Sequence, residues 1–271
     1  MAEIQALKKQ LRSIRSTQKL TKAMKTVSTV KFAKLNEIYG HYSEYGHQCE
    51  KLFERYGEFF IKNLEEKNSD APVGIIVVAS NKGLCGSFNT EIFKFAFEKI
   101  KEFNSPLIFP CGKKAISFFK KRNFSIAKEY ILNDIANYEE CCGIFDDIVK
   151  MREEGKVSQI YIIYPRYVNM MYQECVIRKL FSSNKAVKEE NAEFIPDRET
   201  VTNKMAKNMF KARFFEIFLE TAIGAQAATL MTMRSAYDTA TDYAEKLERE
   251  INRLRQSAVT ADVITTAEKK E

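Results

Sequence analysis

The chain has 271 residues, of which 45% are hydrophobic and 29% charged, with a formal net charge of +7 and a mean hydropathy of −0.34. There is enough apolar material for a core, and the charge is too moderate for this length to require nucleic acid by itself. The longest apolar runs are about six residues, against the ~20 needed to cross a bilayer. The start, Met1-Ala2-Glu3-Ile4, has neither an apolar signal stretch nor acid-poor transit character. A cytoplasmic protein, attached to a membrane only through partners, is expected.

All five prolines (Pro72, Pro106, Pro110, Pro165, Pro196) and six of the ten glycines lie between residues 72 and 196. Proline breaks helix interiors and glycine weakens them, so both ends are predicted to be long helices and the middle is not. This gives three segments: an N-terminal coiled-coil helix over 1–60, an α/β domain over 72–196 and a C-terminal coiled-coil helix over 202–271.

In the first segment Ile4, Leu7, Leu11 and Ile14 recur at spacings of three and four. Leu20, Met24 and Val27 extend the stripe after a small phase shift, followed by Leu35, Ile38, Tyr42, Tyr45, Cys49, Leu52, Tyr56 and Phe59. A stripe of this length indicates a coiled-coil seam. Gly40, Gly46 and Gly57 predict an interruption or bend in its second half.

The middle segment alternates. Val73–Ala79 reads as a buried strand, 88–103 as an amphipathic helix, Pro106–Phe109 as a strand and Lys113–Lys121 as a helix. A weaker strand near Ser125–Tyr130, a helix over 137–154 and a strand over Ser158–Tyr164 follow, then a hairpin partner over Met170–Leu180 and a polar loop over 182–200. Such alternation implies a mostly parallel sheet covered by helices. In the C-terminal segment Phe210, Phe214, Ile217, Thr221, Ala225, Ala228 and Met231 form one stripe, and Tyr243, Leu247, Ile251, Leu254 and Ala258 another. The simplest partner for this helix is the N-terminal one, antiparallel.

The loop Ala79-Ser80-Asn81-Lys82-Gly83-Leu84-Cys85-Gly86-Ser87-Phe88-Asn89-Thr90 follows the first strand. Its glycines fit neither G-x-x-x-x-G-K-[ST] nor G-x-G-x-x-G. A strand-to-helix turn capped by Asn89 or Ser87 is predicted, with no cofactor. Cys85 as a nucleophile would need a base, and both histidines, His41 and His47, lie in the first segment. The six cysteines form no C-x-x-C pair, which reads as reduced, structural thiols and no metal site. Asp70, Asp134, Asp146 and Asp147 read as solvated surface.

The first 35 residues hold nine Lys or Arg against one acid, Glu3, around an apolar stripe and with no aromatic residue before Phe32. An acidic protein surface is the favoured partner over nucleic acid or anionic lipid.

The run Thr17–Lys34, which reads Thr17-Gln18-Lys19-Leu20-Thr21-Lys22-Ala23-Met24-Lys25-Thr26-Val27-Ser28-Thr29-Val30-Lys31-Phe32-Ala33-Lys34, resembles the N-terminal signature of the gamma subunit of F-type ATP synthases. Ser80–Asn89 is similar to that family's S-D-R-G-L-C-G-x-x-N segment, and Arg253–Thr260 to its A-R-Q-A-x-I-T element. The three occur in order along essentially the whole chain. The resemblance implies an antiparallel coiled coil of the terminal helices carrying a central Rossmann-like α/β domain. It also implies a rotating central shaft inside a hexameric ring of alternating alpha and beta subunits. With the epsilon subunit the shaft would stand on the membrane ring of c subunits, at the cytoplasmic face of a bacterial plasma membrane. Catalysis would belong to the beta subunits. Carried over by residue, Arg255 and Gln256 would contact an acidic loop of beta. Lys22, Met24 and Lys25 would meet beta's acidic lower lever, and the loop of Cys85 would face the same lever. Met24 also reads as a seam residue, and Arg255 as a solvated helix charge. The family's S-E-x-A-A-R-M-x-A-M element reads Gly224–Met233 here, with Ala225 in place of the acid and Thr229 in place of the arginine. The charged end, Ala267–Glu271, also departs from the family's small apolar one.

Overall fold

The computed structural model describes residues 2–56, 71–135, 137–181 and 195–268. In chain order the elements are α1 (Ala2–Tyr56), β1 (Gly74–Val78), α2 (Phe88–Ile100), β2 (Leu107–Cys111), α3 (Lys113–Lys120), α4 (Tyr138–Glu153), β3 (Ile160–Tyr167), β4 (Gln173–Lys179) and α5 (Arg198–Glu268). The chain divides into two compact units, residues 1–30 with 229–271 and residues 31–228.

The first unit is an antiparallel helix pair. Arg15 is hydrogen-bonded to Glu248, Gln18 donates to Thr241 at 2.7 Å, and the Lys25 ammonium lies 5.9 Å from the centre of the Tyr237 ring. The partners on α5 fall in number as those on α1 rise. The seam on α1 keeps one heptad phase, through half-buried Ile4, Leu7, Leu11, Ile14 and Gln18 to buried Thr21 and Ser28. Leu20 and Val27, placed in the seam by the sequence, are 61% and 56% exposed. The predicted phase shift is therefore absent: the pattern stays in register by accepting polar residues. Thr21 and Thr17 satisfy their hydroxyls on their own helix, Thr21 on the Thr17 carbonyl at 3.0 Å. On α5, Met233, Ala240, Ala244, Leu247 and Ile251 are buried, whereas Tyr243 is 47% exposed and lies outside the seam. Small alanines there admit close approach of α1.

The second unit holds a four-stranded sheet in the order β2-β1-β3-β4. β1 is parallel to both β2 and β3, and β4 returns antiparallel to β3 as a hairpin. β1 is buried along its whole length, as expected of a parallel strand covered on both faces. Alternation sends Ile76, Val78, Phe109, Ile162 and Tyr164 to one core, closed by α4, α5 and the Leu35 region of α1. Ile75, Val77, Ile108 and Ile163 go to the other, closed by α2 and α3.

Three expectations are corrected here. Residues 125–130 make only two isolated parallel bridges, Ile108↔Ile126 and Cys111↔Tyr130, and no strand. α1 runs without interruption through Gly40 and Gly46, so packing outweighs the ~1 kcal/mol each glycine costs a helix; Gly57 lies outside the described residues. α5 begins at Arg198, inside the predicted loop. Within α5, Lys204–Ala261 contains an 18-residue window of mean hydropathy 1.2, long and apolar enough by length and composition to cross a membrane. The search for continuous apolar runs missed it because Thr, Gly and Gln interrupt the runs. In this window 61% is buried within the protein, and α5 supplies Phe214, Leu219 and Ile223 to the core.

Candidate partner interface

The loop after β1 is built by hydrogen bonds that leave little room for choice. The Ala79 amide donates to the Cys111 carbonyl at 3.0 Å, carrying the strand pairing one residue past β1. Asn89 then holds Ser80 from both sides. Its Oδ1 accepts from the Ser80 amide at 3.2 Å, and its Nδ2 lies 2.8 Å from the Ser80 Oγ and 3.1 Å from the Cys85 Sγ. Asn89 thus pins the loop from inside α2 and is not the cap. Ser87 occupies the N-cap position and makes no side-chain cap bond. The left-handed residues of the turn are Leu84 (φ 66°) and Gly86 (φ 58°).

The neighbouring turn into α3 locks onto the loop. Gly112 has φ 97°, and a Cβ there would fall 2.2 Å from the Ala79 carbonyl oxygen. The amides of Gly112, Lys113 and Lys114 donate to the Tyr130 carbonyl, the Asn81 Oδ1 and the Ser80 carbonyl, respectively. The donors that would cradle a phosphate at this helix start are therefore consumed by the protein itself.

Asp134 is the residue that sequence reasoning missed. Its Oδ2 accepts from Lys31 on α1 at 2.9 Å and from Lys82 in the loop at 2.5 Å. Burial favours its neutral form, but the hydrogen bonds and charges of Lys82 and Lys31 outweigh that and hold the carboxyl below its ordinary value. The reading as solvated surface fails because its two cations come from segments about 50 and 100 residues away in sequence, where no local spacing can signal them. Asp146 is likewise tied to Lys207 and Lys211 on α5. Asp70 lies outside the described residues.

The expected interface residues fall in separate places. Lys22 is exposed and Met24 and Lys25 are half-buried on α1, and Arg255 and Gln256 are exposed on α5. The Gln18–Thr241 pairing separates these two groups by roughly 30 Å along the helix axes at 1.5 Å per residue. Cys85 is 4% exposed and faces the core; the side chain its loop presents outward is Leu84, 58% exposed. Burial pushes the Cys111 and Cys141 thiols far above their ordinary value and that of Cys175 up to about 11, which keeps them as unreactive thiols. Ala225 is 9% exposed, in the core that also holds Phe88. A methyl group fits where the family's carboxylate would need a partner. Among the described residues no group of three or more His, Cys, Asp or Glu could hold a metal ion.

A family model described as ATP synthase matches residues 3–266. The ATP synthase gamma chain of Rhodopirellula baltica is 26% identical over 74% of this chain and 74% of its own. That of Clostridium acetobutylicum is 29% identical over 69% of this chain and 68% of its own. Among solved structures, a chain of the Euglena gracilis mitochondrial ATP synthase, solved as OSCP/F1/c-ring in rotational state 3, has the same fold. It aligns with a TM-score of 0.69 at 15% identity, covering 98% of this chain and 93% of that one. With an antiparallel pair made from its own two ends, a central mixed sheet and this match, the chain belongs to the ATP synthase family, as a gamma chain.

Proposed function

We propose that this chain is the central-stalk rotor of an F-type ATP synthase, carrying rotation between a membrane c-ring and a catalytic alpha/beta ring. The reading rests on the family match over residues 3–266 in a chain whose two ends wind into one antiparallel helix pair. Such a pair transmits torque because neither helix can turn without its partner. As a gamma chain the protein is a subunit of a membrane-associated ATPase complex. The finer parts of the reading are that it has no catalytic site of its own and works at the cytoplasmic face of a bacterial plasma membrane. It would touch the membrane only through partners, which are the alpha and beta subunits, epsilon and the c-ring, and would bind no nucleic acid. The division into 1–60, 72–196 and 202–271 belongs to the same proposal, as shaft, carrier domain and shaft.

Lys22, Met24, Lys25, Arg255 and Gln256 are assigned to contacts with beta, with Cys85 holding the loop that presents Leu84. The exposure of Lys22, Arg255 and Gln256 supports this. The alternative, a nucleotide-binding enzyme with helical extensions, is disfavoured by the internal use of the amides at the α3 start. Mild purification of the native protein decides between them. The expected result is a stoichiometric assembly with two larger ATPase subunits. A monomer that binds nucleotide with micromolar affinity would refute the proposal.

A further inference from the structure

A cavity of about 310 Å³ opens between α1, β4 and α5, with every wall in the compact unit of residues 31–228. It shares no residue with the candidate interface. β4 contributes Arg178, and α5 contributes Arg213, Glu216 and Glu220 from one helical face. Met209 is its one aliphatic side chain. On α1, Gly46 leaves space that the Glu216 carboxylate occupies: a Cβ at 46 would lie 3.4 Å from the Glu216 Oε2.

The most informative wall residue is Glu220. It is 8% exposed, and the Tyr39 hydroxyl donates to its Oε1 at 3.3 Å. Its Oε2 is buried with no hydrogen-bond partner, which is costly for a polar atom unless something else completes it. Two guanidiniums lining one cavity can grip the oxygens of an anion. With the Glu220 carboxyl neutral they outnumber the one remaining carboxylate, Glu216, and the polar lining does not suit an apolar ligand.

We propose that this cavity binds a small oxyanion, the phosphate or carboxylate group of a compact metabolite, through Arg178 and Arg213, with the Glu220 carboxyl donating a hydrogen bond to it. The inference is independent of the rotor reading. The groups facing Glu220 are Tyr39 on α1, Tyr164, Arg166 and Tyr167 on β3, Arg178 on β4 and Glu216 on α5, with His47 and Arg213 completing the cavity. Burial, then the Glu216 charge, push the Glu220 carboxyl up to about 7, against the Tyr167 amide, the Tyr39 hydroxyl and Arg178. Below that pH the protonated acid donates to the anion. Above it a second negative charge joins Glu216 and expels the anion. Binding takes up one proton, so affinity falls about tenfold per pH unit above neutrality.

Sulfate is the probe, because its charge is fixed between pH 6 and 8. It is titrated calorimetrically into the full chain, with chloride holding the ionic strength constant. The wild type is expected to bind at pH 6 and to weaken through pH 8. Arg178→Gln should lose about tenfold or more at pH 6, the scale of a lost charge-assisted bidentate contact. Glu220→Gln, whose amide is a permanent neutral donor, should keep the pH 6 affinity and lose the pH dependence. Circular dichroism verifies that both variants fold. Absence of saturable binding at pH 6, pH-independent wild-type binding, or unchanged affinity in Arg178→Gln would overturn the proposal. Orthophosphate and succinate then assign the phosphate or carboxylate source, and binding of sulfate with neither of these also counts against the site.

Discussion

Across the helix pair, the Gln18 side-chain amide donates to the Thr241 hydroxyl at 2.7 Å, joining two polar residues where a coiled coil ordinarily places aliphatic ones. A polar pair at a seam position gives up stability and fixes register. The double substitution Gln18→Leu with Thr241→Leu is expected to raise the thermal midpoint by roughly 2–4 °C, about 1 kcal/mol at this chain length. It should also loosen the axial alignment of α1 against α5, read by cross-linking of cysteine pairs introduced along the seam. A lowered midpoint would show that the bond is a net stabiliser.

Gly112 and Gly40 should respond oppositely to alanine. At Gly112 the backbone is left-handed and the added carbon would collide with a main-chain oxygen, which cannot move aside as a flexible side chain can. Gly112→Ala is expected to cost on the order of 3 kcal/mol in urea denaturation. At Gly40 a Cβ meets nothing within 4 Å, so Gly40→Ala should gain about 0.5–1 kcal/mol from helix propensity. Equal effects at the two sites would contradict the described backbone.

Asp134→Asn should free Lys82 and Lys31 together and loosen the loop over residues 80–87. The loss is about 1 kcal/mol, kept small because the Lys82 side chain is 72% exposed. The Asp134 carboxyl sits below its ordinary value, so its contribution is present above the ordinary carboxylate range and fades as pH falls through the lowered value. Amide exchange in this loop should therefore quicken in the variant at pH 7, while wild type and variant converge in acid. Identical exchange at neutral pH would mean that Asp134 does not hold the loop.

Glu220 titrates in the opposite sense. Its carboxyl is raised from 4.5 to about 7, so the folded state holds a proton that the unfolded chain releases. Stability is fully present below about pH 4.5, declines as pH rises towards 7 and is flat beyond, a loss on the order of 2–3 kcal/mol. Glu220→Gln should be more stable than wild type at pH 8, and the difference should close near pH 5. A variant gap that does not change with pH would rule out titration of this residue.

Arg255→Ala should slow ATP turnover of the assembled complex and leave the isolated chain folded, because the side chain is exposed on α5. Unchanged turnover would withdraw its assignment to the beta contact.

The strands and most helices were legible because burial on both faces imposes continuous apolar runs, as in Ile75-Ile76-Val77-Val78. The seam phase was not. Leu20 and Val27 outweigh Thr21 and Ser28 on any hydrophobicity count, yet the hydroxyl residues are buried, with Thr21 satisfied on its own turn. A periodicity reading weighs apolarity, whereas the seam selects for small cross-section and a satisfied hydrogen bond. Asp134 and Glu220 were illegible for another reason: Asp134 takes its character from Lys31 and Lys82 on distant segments, and Glu220 from its burial in the fold, which no local spacing shows. The loop motif singled out Cys85, whose side chain points inward and is held by Asn89.

Leu20, Val27 and Val30 form an oily line along one side of α1, each more than half exposed in the lone chain. Surfaces of this kind tend to find one another when nothing else covers them. The isolated chain is therefore expected to self-associate along this line, on the outer side of the same helix that pairs with α5.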